Sequence, residues 1–255
     1  MRIATWNVNS LNARLERVLE WLEYAQPDVL CMQETKLADG VFPEMAFTAA
    51  GYESAQHGDG RWNGVAILSR VGVQDVRSGF ASGADEQGSR IVSAVCGDTR
   101  VYSVYVPNGR VVDSEFYEAK LAWLSELRNQ LETNEDPGSP VAVCGDFNVA
   151  PEDRDVWDPA KTSGSTHVTG PERSALGEIT GWGLSDALRI QYEDGGLYSW
   201  WDYRAGCFHK HEGMRIDLIL LSAPLAKRFN FVIIDRNARK GKLPSDHAPV
   251  LVDLS

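Results

Sequence analysis

The stretch VAVCGDFN, residues 141–148, starts as a short apolar run and ends in an acid and an amide. A Val-rich run of this length, bounded by turn formers, reads as a β-strand. In an extended chain residues i and i+2 point to the same side, so Asp146 and Asn148 form a same-face polar pair closing that strand. The pattern recurs along the chain. RIATWN (2–7) runs into Asn7 and Asn9, a second same-face pair, and DVLCMQ (28–33) runs into Glu34. RIDLILL (215–221) opens with Asp217 close to its start, and APVLVDL (248–254) follows directly on Asp246 and His247. GVAILS (64–69), RIVSAVC (90–96), VYSVYV (101–106) and FVIID (231–235) bring the strands to about nine. Several are apolar on both faces, which suits strands covered on both sides.

Helices separate some of these strands. Leu11, Leu15, Val18, Leu19 and Leu22 repeat at helical spacing, and the segment stops before Pro27. Phe116, Trp123, Leu124, Leu127 and Leu131 do the same over 113–132. A third helix is predicted from Pro171 to Ile179, with Pro and Glu in its first turn. NEDPGSP (134–140) and SGSTHVTG (163–170) read as loops, and His167 in the second reads as an exposed loop histidine. There is no repeat and no interdomain linker, and 255 residues with 43% hydrophobic content suffice for one large core. The expected fold is α/β in a single domain over 1–255: two packed sheets with three or four helices outside them.

Composition narrows the function. No apolar run approaches the roughly 20 residues of a membrane span. The four cysteines, Cys31, Cys96, Cys144 and Cys207, lack metal-site spacing, and three lie in strand-like runs, as buried thiols in a reducing cytoplasm would. The net charge of −11 argues against a broadly basic nucleic-acid surface. It leaves room for a local one: RNARKGK (236–242) carries Arg236, Arg239, Lys240 and Lys242 just upstream of the Asp246–His247 pair.

A lone Asn or Asp at a strand end is most simply a turn former. Five strand ends carrying carboxylates or amides fit another reading better. Ligands gather at strand ends in open α/β sheets, and Asp, Glu and Asn oxygens suit Mg²⁺ or Mn²⁺. A hard cation held by carboxylates is a common device for hydrolysing phosphate esters.

Nine segments occur in a fixed order: WNVNSL (6–11), DVLCMQETK (28–36), WNGVAILS (62–69), VYVPNG (104–109), GDFNVAPEDRDVWDP (145–159), GLSDALR (183–189), SWWDYR (199–204), MRIDLIL (214–220) and SDHAPV (245–250). Together they resemble the exonuclease III family of DNA-repair nucleases, the class II abasic-site endonucleases, within the endonuclease/exonuclease/phosphatase superfamily. The match runs from Met1 to Leu254. QET, GDFN and SDH alone mark the superfamily; SWWDYR followed by MRIDLIL points to the abasic endonucleases. Ser10 departs from the pattern, standing where many members have Gly.

The resemblance implies a four-layer α/β sandwich of two mostly antiparallel mixed sheets flanked by helices, like DNase I. It implies Mg²⁺, or Mn²⁺, held among Asn7, Glu34, Asp146, Asn148, Asp246 and His247. It gives Asp146 the activation of the attacking water, Asn148 a hold on that water or the phosphate, His247 a contact to the scissile phosphate, and Asp217 the orientation of the imidazole. Tyr105 and Asn108 would lie near the phosphate. Whether Asp146 or His247 is the base, and whether one or two metals act, stays open. Trp200, Met214 and Ile216 match the apolar pocket that takes a flipped-out abasic sugar, and a missing base lowers the cost of extrusion. Arg90 and Lys120 are expected among the phosphate contacts on the same resemblance, and Arg204 because it is basic and lies beside a motif.

The implied activity is hydrolysis of the phosphodiester 5′ to abasic sites, leaving a 3′-hydroxyl, together with 3′→5′ exodeoxyribonuclease and 3′-phosphatase or 3′-phosphodiesterase activities. The partner would be double-stranded DNA with abasic sites or blocked or recessed 3′ ends. The protein would act as a monomer away from membranes, in the cytoplasm (at the nucleoid, if bacterial). Two other classes compete: a superfamily phosphoesterase for a small or lipid-linked phosphate, and a DNA-binding member without catalysis. The segment 199–217 argues against the first and the complete polar set against the second.

Overall fold

Parallel neighbouring strands need a crossover, usually a helix, and this chain uses two such β–α–β units to build its framework. The computed structural model describes residues 1–84 and 88–255. Numbered along the chain, the first sheet holds β1 (Arg2–Asn7), β2 (Val29–Gln33), β3 (Glu53–His57), β4 (Val65–Ser69), β11 (Phe229–Ile234) and β12 (Val250–Leu254). The second holds β5 (Gln74–Ser78), β6 (Ile91–Cys96), β7 (Thr99–Tyr105), β8 (Val141–Asp146), β9 (Leu184–Asp186) and β10 (Asp217–Ser222). The helices are α1 (Leu11–Ala25), α2 (Glu44–Ala49), α3 (Glu115–Asn134), α4 (Pro159–Thr162), α5 (Gly170–Gly181), α6 (Ala187–Gln191), α7 (Cys207–Lys210) and α8 (Ala223–Ala226).

The strand orders are β11–β12–β1–β2–β4–β3 and β5–β6–β7–β8–β10–β9. Two strand pairs are parallel, β1–β2 across α1 and β7–β8 across α3; the remaining pairs are antiparallel. The sheets stack face to face through Ile3, Cys31, Ile67, Val101, Cys144 and Ile219. On the outer face of the first sheet lie Val18, Trp21 and Leu22 of α1 with Phe47 of α2. On that of the second lie Trp123, Leu124 and Leu127 of α3 with Ile179 of α5. Burying such side chains contributes about 1.5–3 kcal/mol each, so four interlocking layers hold the framework rigidly.

All nine expected strands form, with ends shifted by no more than two residues. The three additional ones, β3, β5 and β9, lie at or next to the sheet edges, and all five residues of β5 are exposed. An edge strand is paired on one side and half solvated, so ESAQH, QDVRS and LSD carry no apolar alternation to read. The short helices escaped the sequence for a related reason: four to six residues span too few turns for a period to show. The third helix begins at Gly170, with Thr169 and Glu172 forming a reciprocal capping box.

Candidate active site

The two parallel units place their carboxyl ends at the same end of the stacked sheets. β1 ends in Asn7, and Glu34 follows β2; β7 ends in Tyr105 and β8 in Asp146. Register then fixes the neighbours. Tyr105 pairs with Asp146 across β7–β8, and Asp146 pairs with Asp217 across β8–β10. Gly145, immediately before Asp146, is required by close approach, because a Cβ there would stand 1.9 Å from the main-chain oxygen of Val104. Asn9, Ser10, Glu34, Lys36 and Asn148 all have φ between 44° and 89°, a conformation non-glycine residues avoid. Backbone strain of this kind persists where surrounding structure over-determines it, commonly at functional sites.

Asn7 joins the sheets. Its amide nitrogen donates to Glu34 Oε1 and to Asp146 Oδ2, both at 2.9 Å. Glu34, Asp146 and His247 offer ligand atoms that all lie within 4.8 Å of one another. His247 is buried, its Nδ1 2.8 Å from Asp217 Oδ2, and Ser199 Oγ donates to the same carboxylate oxygen at 2.6 Å. The other imidazole nitrogen, Nε2, faces Asp146 Oδ2 at 3.7 Å. Asp246 accepts from Asn9 Nδ2 at 3.0 Å and from the Trp200 indole at 3.1 Å. Lys36 reaches Asn9 Oδ1 at 2.6 Å and Glu34 Oε2 at 2.9 Å.

Burial and charge set the protonation states. Burial pushes Asp146 up to about 7, with Asp217 adding to the rise and His247 opposing it. For His247 burial disfavours the charged form, but Asp217 and Asp146 outweigh it and hold the imidazole up to about 10. Burial also disfavours the Asp246 carboxylate; His247 and the hydrogen bonds from Asn9 and Trp200 overcome that and hold it below the usual range. Burial raises the Tyr105 phenol well above its ordinary value, and the Glu34 and Asp146 charges raise it further. Two buried carboxylates beside one imidazolium leave negative charge without full compensation. Carboxylate oxygens in this setting fit a hard dication, whose charge would restore Asp146 to its ionised form.

Asn148 turns its amide away from the carboxylates: its nitrogen donates to Val106 O at 2.9 Å, and its oxygen accepts from Asn108 at 3.3 Å. Trp200 and Met214 pack with Ala150, Val156, Val168 and Ile216 into a small apolar wall beside Asp246 and His247. Arg90 lies over the Tyr105 ring at 4.6 Å and donates to its carbonyl at 3.2 Å. Arg204 projects from the surface and grips Asp202 at 2.6–3.2 Å, apart from the cluster.

Lys120 and His167, like Asn148 and Arg204, lie otherwise than expected. Lys120, expected to touch phosphate, is fully buried. Its ammonium is ion-paired with Glu172, also fully buried, and donates to the carbonyls of Asn148 at 2.7 Å and Asn108 at 3.3 Å. The helical spacing over 113–132 places Lys120 on the inner face of α3, one turn before Trp123 and Leu124, so the period already marked it as inward-facing. His167 is no free loop residue: its Nδ1 is 2.6 Å from Asn148 O, and its Nε2 is 3.4 Å from Asn108 Nδ2. Burial, and then the Lys120 charge, lower its imidazole to about 4, so it is neutral at physiological pH. Nothing local in SGSTHVTG signals that contact. Arg215 is a further residue the sequence did not single out: buried, it binds Asp155 at 2.6 and 3.1 Å and Asp186 at 2.7 Å.

The pattern of the Endonuclease/Exonuclease/phosphatase family matches residues 4–247. The chain is 32% identical over 266 residues to exodeoxyribonuclease III of Haemophilus influenzae, with 98% of each chain covered. An AP endonuclease structure from Archaeoglobus fulgidus superposes with a TM-score of 0.97 at 38% identity, covering 100% of this chain and 99% of that one. A 3′ phosphatase from Neisseria, NExo, bound to a product DNA hairpin, superposes with a TM-score of 0.96 at 37% identity, again over 100% and 99%.

Proposed function

The chain belongs to the endonuclease/exonuclease/phosphatase family, as an exonuclease III homologue, and from that premise we propose a Mg²⁺-dependent DNA-repair nuclease that hydrolyses the phosphodiester 5′ to abasic sites. It leaves a 3′-hydroxyl and also acts on 3′-phosphates and 3′-terminal nucleotides of double-stranded DNA. The observation that carries the reading is the buried Asp217–His247 pair held 3.7 Å from Asp146, beside Glu34. It supplies an imidazolium for phosphoryl oxygens and a carboxylate for a water proton within one cluster.

Glu34 and Asp146, with the Asn7 and Asp246 oxygens nearby, would hold the cation. A protonated imidazole is a poor ligand, so His247 serves the phosphate while Asp217 keeps it charged. The cation supplies charge stabilisation at the phosphoryl oxygens. Asp146, held up to about 7 before a cation binds, takes the proton of the attacking water. Tyr105, kept protonated, and the Asn108 amide donate to the phosphate, and Arg90 braces the Tyr105 ring. Trp200, Met214 and Ile216 form the wall against which a sugar lacking its base packs.

Among the described residues no helix is long and apolar enough to cross a membrane. Three of the four cysteines are buried free thiols, which supports a reducing cytoplasmic setting. The acidic balance supports modest DNA affinity, with log K falling against log salt no more steeply than about −6.

The direct test is a time course on abasic, 3′-phosphate and recessed-end duplexes with Mg²⁺, with EDTA, and beside inositol phosphates. Incision of the duplexes that EDTA abolishes is expected; turnover confined to inositol phosphates would replace this function with the small-phosphate one. Within the site, Trp200→Ala should lower abasic incision about tenfold or more while lowering 3′-phosphate removal less, because a phosphate end has no extruded sugar to pack. Equal losses on both substrates would remove the pocket from the mechanism.

A further inference from the structure

On the side of the cluster lined by Glu34 and Tyr105, a cavity of about 340 Å³ opens along the loop before β4 and the loop after β7. It shares no lining residue with the Trp200–Met214 wall. Its most exposed large hydrophobic residue is Trp62, 68% accessible. The segment carrying Trp62 is firmly held. Asn63 O accepts from Lys36 N at 2.9 Å, Gly64 O accepts from Thr35 N at 3.1 Å, and Asn63 Nδ2 donates to Gly88 O at 3.2 Å. Trp62 is thus fastened to the turn that carries Glu34. From the other loop, Arg110 lays its guanidinium 3.8 Å over the Phe116 ring, and both line the same cavity.

A large aromatic left in water beside a phosphate-cleaving cluster needs an occupant, and the cavity's continuity with Glu34, Tyr105 and Asn108 admits the substrate strand itself. Its volume lies at the small end of ligand pockets, roughly 300–1,000 Å³, which suits one nucleotide unit and excludes a duplex. An exposed indole and a ring-stacked guanidinium bind the π-face of any base. A chain of net charge −11 has few phosphate contacts to spare, so stacking is the affordable source of grip on the strand.

We propose that the Trp62 cavity is a stacking site for one unpaired nucleobase, that of the nucleotide joined to the reacting phosphate on the side away from the Trp200 wall. This rests on the nuclease function above and adds to it a preference for ends whose terminal bases are frayed or unpaired. The test uses duplexes carrying 2-aminopurine on one side or the other of the reacting phosphate, bound with Mg²⁺ by the Asp146→Asn protein so that the strand stays whole. Binding should quench one of the two positions. Trp62→Ala, a change at an exposed position, should abolish that quench, and Trp62→Phe should keep most of it. In the otherwise native protein Trp62→Ala should lower kcat/KM on frayed ends about 5- to 150-fold, the equivalent of the 1–3 kcal/mol of one base–aromatic stack, and less on fully paired ends. An unchanged quench in Trp62→Ala, or equal losses on frayed and paired ends, would overturn the stacking site and leave the nuclease function standing. Failure of the native protein to cut either substrate would instead remove the function beneath it.

Discussion

Replacing Asp146 with asparagine should lower kcat by about 10²- to 10⁴-fold, the range for loss of a general base, and leave DNA affinity close to native. The side chain is 1% exposed and fixed at both oxygens, by Asn7 Nδ2 and by the Asn148 backbone N–H, each at 2.9 Å. Asparagine matches its shape, so the fold should survive. Asparagine offers one acceptor where two N–H donors now bind, so one of these hydrogen bonds is lost and stability should fall by about 1–3 kcal/mol. Single-turnover incision of an abasic duplex, with binding measured in parallel, separates the effects. Near-native turnover would show that Asp146 is not the base.

The second large effect falls on stability and is expected at Lys120→Met. Breaking a buried ion pair by removing one partner costs about 3–5 kcal/mol, because the other charge stays buried alone. For a chain of this size that corresponds to a Tm lower by roughly 6–20 °C. The double variant Lys120→Met/Glu172→Gln removes both charges, and glutamine can keep the capping box with Thr169. It should recover most of the lost stability. Activity should stay depressed, because the ammonium that holds the Asn108 and Asn148 carbonyls is still missing. Lys120 would then be a positioning residue, acting on the phosphate-facing amides from behind. Full recovery of kcat in the double variant would show that the pair serves only the fold.

Lys120 and His167 show where reading the sequence stopped. Every strand with a strong apolar run was legible, because burial on both faces writes itself into consecutive residues. The edge strands β3, β5 and β9 were not, since a strand paired on one side needs no such run. At the site, same-face spacing picked out Asp146 with Asn148 and Asn7 with Asn9. It could not tell that Asn148 spends its amide on Val106 and Asn108 while Asn7 bridges Glu34 and Asp146. Basic residues were the least legible by charge: only the helical period set Lys120 apart from Arg204 and Arg215, yet Lys120 is buried against Glu172, Arg204 is exposed and paired to Asp202, and Arg215 is buried between two aspartates.

The sequence by itself determined the layers and the chemical types at the strand ends, because periodicity and composition are properties of neighbouring residues. Tertiary structure alone decided which of those ends meet. Asn7 and Asp146 stand 139 positions apart and touch through a 2.9 Å hydrogen bond, set by the stacking of two sheets and by the register of Asp146 against Tyr105 and Asp217. The protonation states follow from that meeting. An isolated aspartate and histidine titrate in their ordinary ranges, and only burial together, within one water-poor cluster, moves the acid and the imidazole upward to about 7 and about 10.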